Sequence, residues 1–257
     1  MPRSPFANAV LVGGPAAAGK TTVARLLARK HGLRWYSTDA HTQHHRAIAV
    51  AQGLHEEDDP TPGTFDRGPL ISTDLDRLAA ARPEAGVVVE GALVTPSLAP
   101  LSRSVWLMPS AAEQSRRLIA REGTSEIHHG LLYGHSLITE QLAGTAATII
   151  TVDGQTVAET IAAVEDALGP TLDGLAGART RLDRRQVIRY GNRALAEQLR
   201  SSVESGHLDE VGLEVARIFD CECAQVDCVA TVPLRPAEAI DEVVQPPGSI
   251  RAVPHEA

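Results

Sequence analysis

A glycine-rich segment near the start of the chain has residue types and spacing that suit phosphate binding. Residues 14–21 match the pattern G-x-x-x-x-G-K-[ST], and we call this segment the phosphate loop. Glycines let its backbone turn tightly and point N–H groups at phosphate oxygens. Lys20 would then reach the β- and γ-phosphates, and the Thr21 hydroxyl would bind Mg²⁺. The residues predicted to bind a nucleotide are Gly14, Ala16, Ala17, Ala18, Gly19, Lys20, Thr21 and Thr22.

The segments on either side of the phosphate loop are predicted to be a strand and a helix. Residues 8–13 form a short apolar run that is typical of a buried strand. Residues 21–31 show apolar side chains at helical spacing, and Gly32 ends that helix. The N-terminus of such a helix attracts phosphate. Because the strand–loop–helix context is present, a glycine-rich turn that matches by chance is the weaker interpretation.

Strands and helices alternate beyond this point. Strands are predicted over residues 8–13, 33–37, 86–90, 104–108 and 148–152, and helices over residues 21–31, 40–51, 70–81, 111–121, 131–143 and 157–168. Residues 53–68 are acidic and rich in Pro and Gly, which predicts a long loop. The alternation predicts an α/β fold: a five-stranded parallel sheet of the P-loop NTPase type with helices on both faces.

The composition changes after Gly169. Residues 169–178 are rich in Gly, Pro and Ala and are predicted to be a linker. A charged helix over residues 179–204, a Cys-bearing segment and a Pro-rich tail follow. The sequence therefore predicts a P-loop domain over residues 1–169 and a small helical, Cys-rich C-terminal extension over residues 170–257.

The amino-acid composition restricts the classes of binding partner and the cellular location that we expect for the protein. The 257 residues are 43% hydrophobic and 22% charged, which is ordinary for a globular protein. A net charge of −8 argues against nucleic acid or an anionic membrane as the main partner. We see neither a transmembrane run nor a signal-peptide pattern, and the three cysteines form no spread-out disulfide framework. These features predict a cytoplasmic protein, and they leave its oligomeric state open.

The order of the motifs resembles the P-loop small-molecule kinases, in the nucleoside-monophosphate-kinase-like group that includes shikimate, gluconate and chloramphenicol kinases. The resemblance covers roughly residues 8–168 and lies in GGPAAAGKTTVARLLA, LRWYSTDAH, VVVEG and SVWLMPS, the last followed by an Arg-rich helix. It implies five parallel strands, ATP and Mg²⁺ as cofactors, and phosphorylation of a hydroxyl group on a small-molecule acceptor.

The binding site for the phosphoryl acceptor is predicted around Asp39, directly after the second strand. The resemblance implies that Asp39 holds or deprotonates the acceptor hydroxyl, and open α/β sheets place their sites at the carboxyl ends of strands. The alternative is that Asp39 only caps the next helix. His41 and Arg67 are further candidates for acceptor contact. The acidic residues near Arg67 mildly favour a neutral or cationic acceptor.

Glu90 ends the third predicted strand, where a carboxylate suits either a Mg²⁺-bound water or a substrate group. Both roles stay open because the usual aspartate is absent. On the helix after the fourth strand, the resemblance implies that Arg117 and Arg121 close over the transferred phosphoryl group, with a lid over residues 123–134. Arg116 is expected to point away. A solvated helix face is the alternative for each arginine.

Three cysteines, Cys221, Cys223 and Cys228, occupy one short segment, and His255 follows in the tail. The segment resembles a Cys-rich C-terminal segment of uncharacterised actinobacterial proteins. Three thiolates and one imidazole would complete a structural zinc site, and a small tail gains order from such an ion. The alternative is three reduced cysteines and a histidine in a frayed terminus.

Two functions follow from these features. The first is an ATP-dependent phosphotransferase whose partners are a nucleotide and a small hydroxylated molecule. The alternative is a nucleotide-dependent regulatory ATPase that signals through the C-terminal segment. Acceptor dependence separates them, because only the phosphotransferase consumes ATP faster in the presence of its acceptor.

Overall fold

The computed structural model describes residues 4–56, 65–81, 85–122, 129–204, 213–242, 245 and 249–252. Its strands are β1 (Ala9–Gly13), β2 (Arg34–Ser37), β3 (Val87–Glu90), β4 (Ser104–Met108), β5 (Thr148–Thr151), β6 (Arg217–Asp220) and β7 (Thr231–Leu234). Its α-helices are α1 (Lys20–His31), α2 (Thr42–Ala51), α3 (Gly68–Ala81), α4 (Ala111–Glu122), α5 (His129–Leu142), α6 (Val157–Asp173), α7 (Arg181–Glu204) and α8 (Pro236–Glu242).

The first five strands form the predicted parallel sheet, in the order β2-β3-β1-β4-β5. Residues of β1, β2 and β3 are buried throughout, which explains the apolar runs of β1 and β3. One face, with Val10, Val12 and Val88, packs in one cluster with residues of α1 and α6. The other face, with Leu11 and Val89, packs in a second cluster with residues of α3. The α/β fold class is confirmed.

The register of the sheet brings the ends of three strands together. Glu90, the last residue of β3, pairs with Val12 on one side and with Ser37 on the other. The phosphate loop follows β1, and Asp39 follows β2, so both leave the sheet beside Glu90. Crossover connections make this shared edge the place where open α/β sheets bind their ligands.

The predicted linker begins later than the composition indicates. Helix α6 continues through Gly169 and Pro170 to Asp173. Leu168 and Leu172 are both buried in the core, and the burial of Leu172 stabilises the additional helical turn. Pro170 lacks an N–H group, so the last turn of the helix loses one hydrogen bond, a cost that the burial of Leu172 offsets. The division of the chain at residue 169 stays a prediction.

Residues beyond α6 pack directly on the sheet and on α1. Helix α7 crosses β2 so closely that a Cβ atom at Gly191 would lie 2.8 Å from Trp35. Strands β6 and β7 form an antiparallel hairpin. At the end of β6, Asp220 pairs with two arginines of α1, at 3.0 Å from Arg25 Nε and 3.2 Å from Arg29 Nη1.

Among the described residues, we find no helix that combines the length and apolarity needed to span a lipid bilayer.

We predict that Gly191→Ala destabilises the protein although alanine is the better helix former. The added methyl group must displace the Trp35 ring, and overpacking of this kind costs about 1–3 kcal/mol. Gly134→Ala in α5 is the matched control, because no described atom outside its own stretch of helix lies within 4 Å of the added Cβ. The control should gain up to about 1 kcal/mol from helix propensity. Urea unfolding measures both, and a stabilised Gly191→Ala would contradict the close contact of α7 with β2.

Candidate functional site

The phosphate loop has the backbone conformations that its glycines predict. Gly14 has a φ of +135°, and a Cβ there would lie 2.2 Å from the carbonyl oxygen of Leu107. Gly19 has a φ of +88° with open space around it, so the conformation alone requires glycine where the loop enters α1. Ala17 also has a positive φ, of +60°, which costs about 1–2 kcal/mol for a residue with a Cβ atom. Strain of this kind is typical of ligand-binding loops.

Lys20 is folded over the phosphate loop. Its side chain is buried, and its ammonium group donates a hydrogen bond of 2.8 Å to the carbonyl oxygen of Pro15. The ammonium group therefore lies across the loop at the N-terminus of α1, where the helix dipole adds further positive potential. Together these charges make an anion-binding concavity.

Thr21 and Glu90 meet beside this concavity. The Thr21 hydroxyl donates to Glu90 Oε2 at 3.2 Å, although the two residues are 69 positions apart. Glu90 is fully buried, and its Oε1 accepts no hydrogen bond from the described residues. Hydroxyl and carboxylate oxygens are the ligands that Mg²⁺ prefers, and a buried carboxylate calls for a cation. The donor set of Thr21 and Glu90 therefore fits Mg²⁺.

Burial raises the pKa of Glu90 to about 7, and the negative charge of neighbouring Asp39 adds to the effect. The nearby ammonium group of Lys20 opposes both. A carboxyl group in this state exchanges its proton near neutral pH, so a cation competes with a proton for the same oxygen.

Asp39 stands exposed at the end of β2. Its Oδ1 accepts a hydrogen bond of 3.2 Å from the Thr38 hydroxyl. Gly91 faces the same turn, and a Cβ there would lie only 1.8 Å from that hydroxyl. Helix α2 begins at Thr42 with His41 as its N-cap, so Asp39 does not occupy the N-cap position that the alternative interpretation needs. Its carboxylate is open to solvent beside Glu90.

Arg67 is buried under the turn that carries Asp39. Its guanidinium donates to the carbonyl oxygen of Thr38, to Thr42 Oγ1 at 3.0 Å and to His45 Nδ1 at 3.2 Å. These bonds direct Arg67 into the protein, where it holds the turn.

A buried polar network continues from Arg67. Because His45 Nδ1 accepts from that guanidinium, the proton of the imidazole lies on Nε2, which donates to Asp74 Oδ2 at 2.9 Å. The Tyr36 hydroxyl donates to the same oxygen at 2.9 Å. Sequence reasoning missed Tyr36, His45 and Asp74 as a unit, because nothing in a single sequence links positions on β2, α2 and α3.

His41 faces a cleft of about 760 Å³ between α2 and α7, which Tyr190 and Arg193 also line. Its Nδ1 donates to the carbonyl oxygen of Ser37 at 2.7 Å, and its ring stacks on Tyr36. Burial lowers the pKa of His41, which favours the neutral imidazole. The remaining ring nitrogen, Nε2, is then a hydrogen-bond acceptor.

Helix α4 holds the phosphate loop from the other side. Arg117 donates to the carbonyl oxygens of Ala17 at 3.5 Å and Val152 at 2.8 Å. Gln114, fully buried, donates to the carbonyl oxygen of Ala16 at 3.1 Å. Arg116 points to solvent, as expected, and pairs with Glu113 one turn away.

Gln114 was not predicted, although it shares a helix face with buried Leu118, and a polar residue at such a position is the available signal. Arg121 lies in α4, but its side chain is outside the described residues, as are residues 123–128 of the predicted lid.

The three cysteines come together away from this site. Cys221, Cys223 and Cys228 are buried, and their sulfur atoms all lie within 4.8 Å of one another. His255 lies outside the described residues, so its predicted place beside them stays a prediction.

Comparisons with known proteins return structural similarity only. No protein-family model matches the chain. No curated protein matches it either. Among solved structures it is similar to a gluconokinase from Sinorhizobium meliloti, with 22% identity and a TM-score of 0.47 over 66% of this chain and 95% of the other. The chain is also similar to a sugar kinase from a Janibacter species, with 21% identity and a TM-score of 0.47 over 67% of this chain and 99% of the other.

We predict that Glu90 makes the metal-free and nucleotide-free protein less stable as the pH rises. Its ordinary pKa of 4.5 applies to the unfolded chain and about 7 to the folded one, so the folded state binds the proton more tightly. The stabilisation is present below about pH 4.5 and is lost as the pH rises through about 7. The free energy of unfolding falls by at most about 3 kcal/mol over this range.

Thermal unfolding at a series of pH values, in the presence of a chelator, measures this loss. Glu90→Gln should have a flatter profile over the same window, because glutamine does not titrate. Parallel profiles for the two proteins would show that Glu90 is ionised in both states.

Proposed function

We propose that this chain is an ATP-dependent phosphotransferase that moves the γ-phosphoryl group to a hydroxyl group of a small molecule. The observation that carries the proposal is the convergence of three parts at one edge of the sheet: the phosphate loop with Lys20, the Thr21–Glu90 pair, and the exposed Asp39. The first two parts suit any ATPase. The open carboxylate on the acceptor side favours transfer to a hydroxyl group.

The phosphate loop binds the nucleotide through its backbone. Its N–H groups and the N-terminus of α1 meet the phosphate oxygens, and Lys20 leaves Pro15 to pair with the β- and γ-phosphates. Arg117 and Gln114 keep the loop open through the carbonyl oxygens of Ala17 and Ala16. A loop that is preorganised in this way loses little entropy when the nucleotide binds.

Thr21 and Glu90 would hold Mg²⁺, directly or through water. When bound, the ion neutralises charge on the β- and γ-phosphates. Glu90 must lose its proton to take part, and its raised pKa makes metal binding depend on pH near neutrality.

Asp39 receives the acceptor. Its carboxylate accepts a hydrogen bond from the acceptor hydroxyl and takes its proton as the oxygen attacks the γ-phosphorus and the bond to the leaving ADP oxygen breaks. Arg67 fixes the turn before Asp39 through the carbonyl oxygen of Thr38, so it acts as a positioning residue. His41, with an acceptor nitrogen facing the cleft beside α7, offers a second contact for a hydroxyl group.

The first test measures Mg²⁺-dependent ATP consumption with pools of hydroxylated metabolites. We expect one pool to stimulate turnover. Lys20→Ala should lower the stimulated rate by about 100- to 1,000-fold, because it removes the positive charge that pairs with the transferred phosphoryl group. Asp39→Asn should lower it by about 100- to 10,000-fold because it removes the base. Nucleotide that binds while no pool raises turnover would favour the regulatory ATPase instead.

A second prediction separates the two neighbouring arginines of α4. Arg117→Ala should lower kcat for ATP consumption by about tenfold or more, because it releases the phosphate loop at Ala17. Arg116→Ala is the matched control: it removes the same charge and the same partner Glu113, yet it lies in solvent and should change kcat little. Equal losses in both variants would mean that charge alone, and not the contact with the loop, is responsible.

A further inference from the structure

We propose that Cys221, Cys223 and Cys228 form a binding site for a zinc ion, separate from the phosphate loop and independent of the proposed function. The three buried sulfur atoms all lie within 4.8 Å of one another. In a tetrahedral site with Zn–S bonds of about 2.3 Å, neighbouring sulfur atoms are about 3.8 Å apart. A small inward rotation of the side chains would bring the three sulfur atoms to this spacing and leave the fourth position of the ion for water or another ligand.

The backbone around the cysteines already donates hydrogen bonds to sulfur. The N–H group of Gln225 points at Cys223 Sγ at 3.5 Å, within a turn that places Ala224 at a φ of +58°. The N–H group of Ala252 points at Cys221 Sγ at 3.4 Å. Such hydrogen bonds favour the thiolate, the form that binds a metal, and oppose the burial that raises the pKa of the Cys223 thiol to about 11 in the absence of an ion.

Arginines surround the same segment. Arg29, Arg181 and Arg185 donate to the carbonyl oxygens of Cys221, Cys223 and Glu222, at 3.4 Å, 3.0 Å and 3.2 Å. Three thiolates and one Zn²⁺ carry a net charge of −1, which these guanidinium groups offset.

Hydrogen bonds hold the backbone of the cysteine segment in place without an ion. Glu222, between the first two cysteines, is fully buried and accepts hydrogen bonds from Arg189 at 3.0 Å and from Asn192 at 2.9 Å. Its N–H group donates to the carbonyl oxygen of Ile250 at 2.7 Å. This network fixes the backbone between Cys221 and Cys223, so the site loses little entropy on binding.

The donor set selects the metal. Soft thiolate ligands favour zinc over magnesium or calcium, which take oxygen ligands. A disulfide would use two of the sulfur atoms and leave the third unused.

The test uses the full-length protein, purified under reducing conditions, stripped with a chelator and titrated with Zn²⁺ and with Co²⁺. We expect one ion per chain and a thiolate-to-cobalt charge-transfer band with the strong visible absorption of a tetrahedral ion. Bound Zn²⁺ should also protect the three thiols from alkylation. Cys221→Ser and Cys228→Ser should weaken Zn²⁺ binding by at least about tenfold. The cobalt spectrum of the unaltered chain decides the question if a serine variant fails to fold.

Two control variants separate this site from the rest of the chain. His44→Ala removes an exposed histidine of α2 and should leave the cobalt spectrum unchanged. Lys20→Ala removes the proposed nucleotide contact and should also retain the ion, so failure of the phosphotransferase and failure of the metal site are distinguishable. The proposal is overturned if Co²⁺ gives no charge-transfer band, if thiols alkylate at the same rate with and without Zn²⁺, or if His44→Ala abolishes binding.

Discussion

The candidate site depends on the register of β3 between its two neighbours. Glu90 pairs with Val12 of β1 and with Ser37 of β2, and so the phosphate loop, the carboxylate of Glu90 and the turn of Asp39 leave the sheet at one edge. A slip of one residue would turn Glu90 to the opposite face of the sheet.

Much of this arrangement could be predicted from the sequence. Unbroken valines and alternating apolar segments predict the five parallel strands, and the phosphate loop is recognisable because its chemistry is local: Lys20 and Thr21 follow directly on the glycines that position them. Even the place of Asp39 follows from strand order. These features depend on residues close together in the chain, which a single sequence displays.

The remaining features depend on distant residues. Arg67 lies in a stretch that composition alone assigns to a solvated acidic loop. It is nevertheless buried, because it donates hydrogen bonds to the carbonyl oxygen of Thr38 and to the imidazole of His45. Gln114 contacts the phosphate loop across 98 positions of sequence. The end of α6 was misplaced for a related reason, since Leu172 gains a core contact that outweighs the local effect of Pro170.

Helix α1 joins the two ends of the chain. Its first turn carries Lys20 and Thr21, and its later turns carry Arg25 and Arg29, whose shared partner Asp220 lies 195 and 191 positions further along. During synthesis on the ribosome the N-terminal strands are made first. Arg25 and Arg29 of α1 nevertheless lack the carboxylate with which they pair until Asp220 has left the exit tunnel. The buried pairing of these two arginines is therefore a late event in the life of the nascent chain.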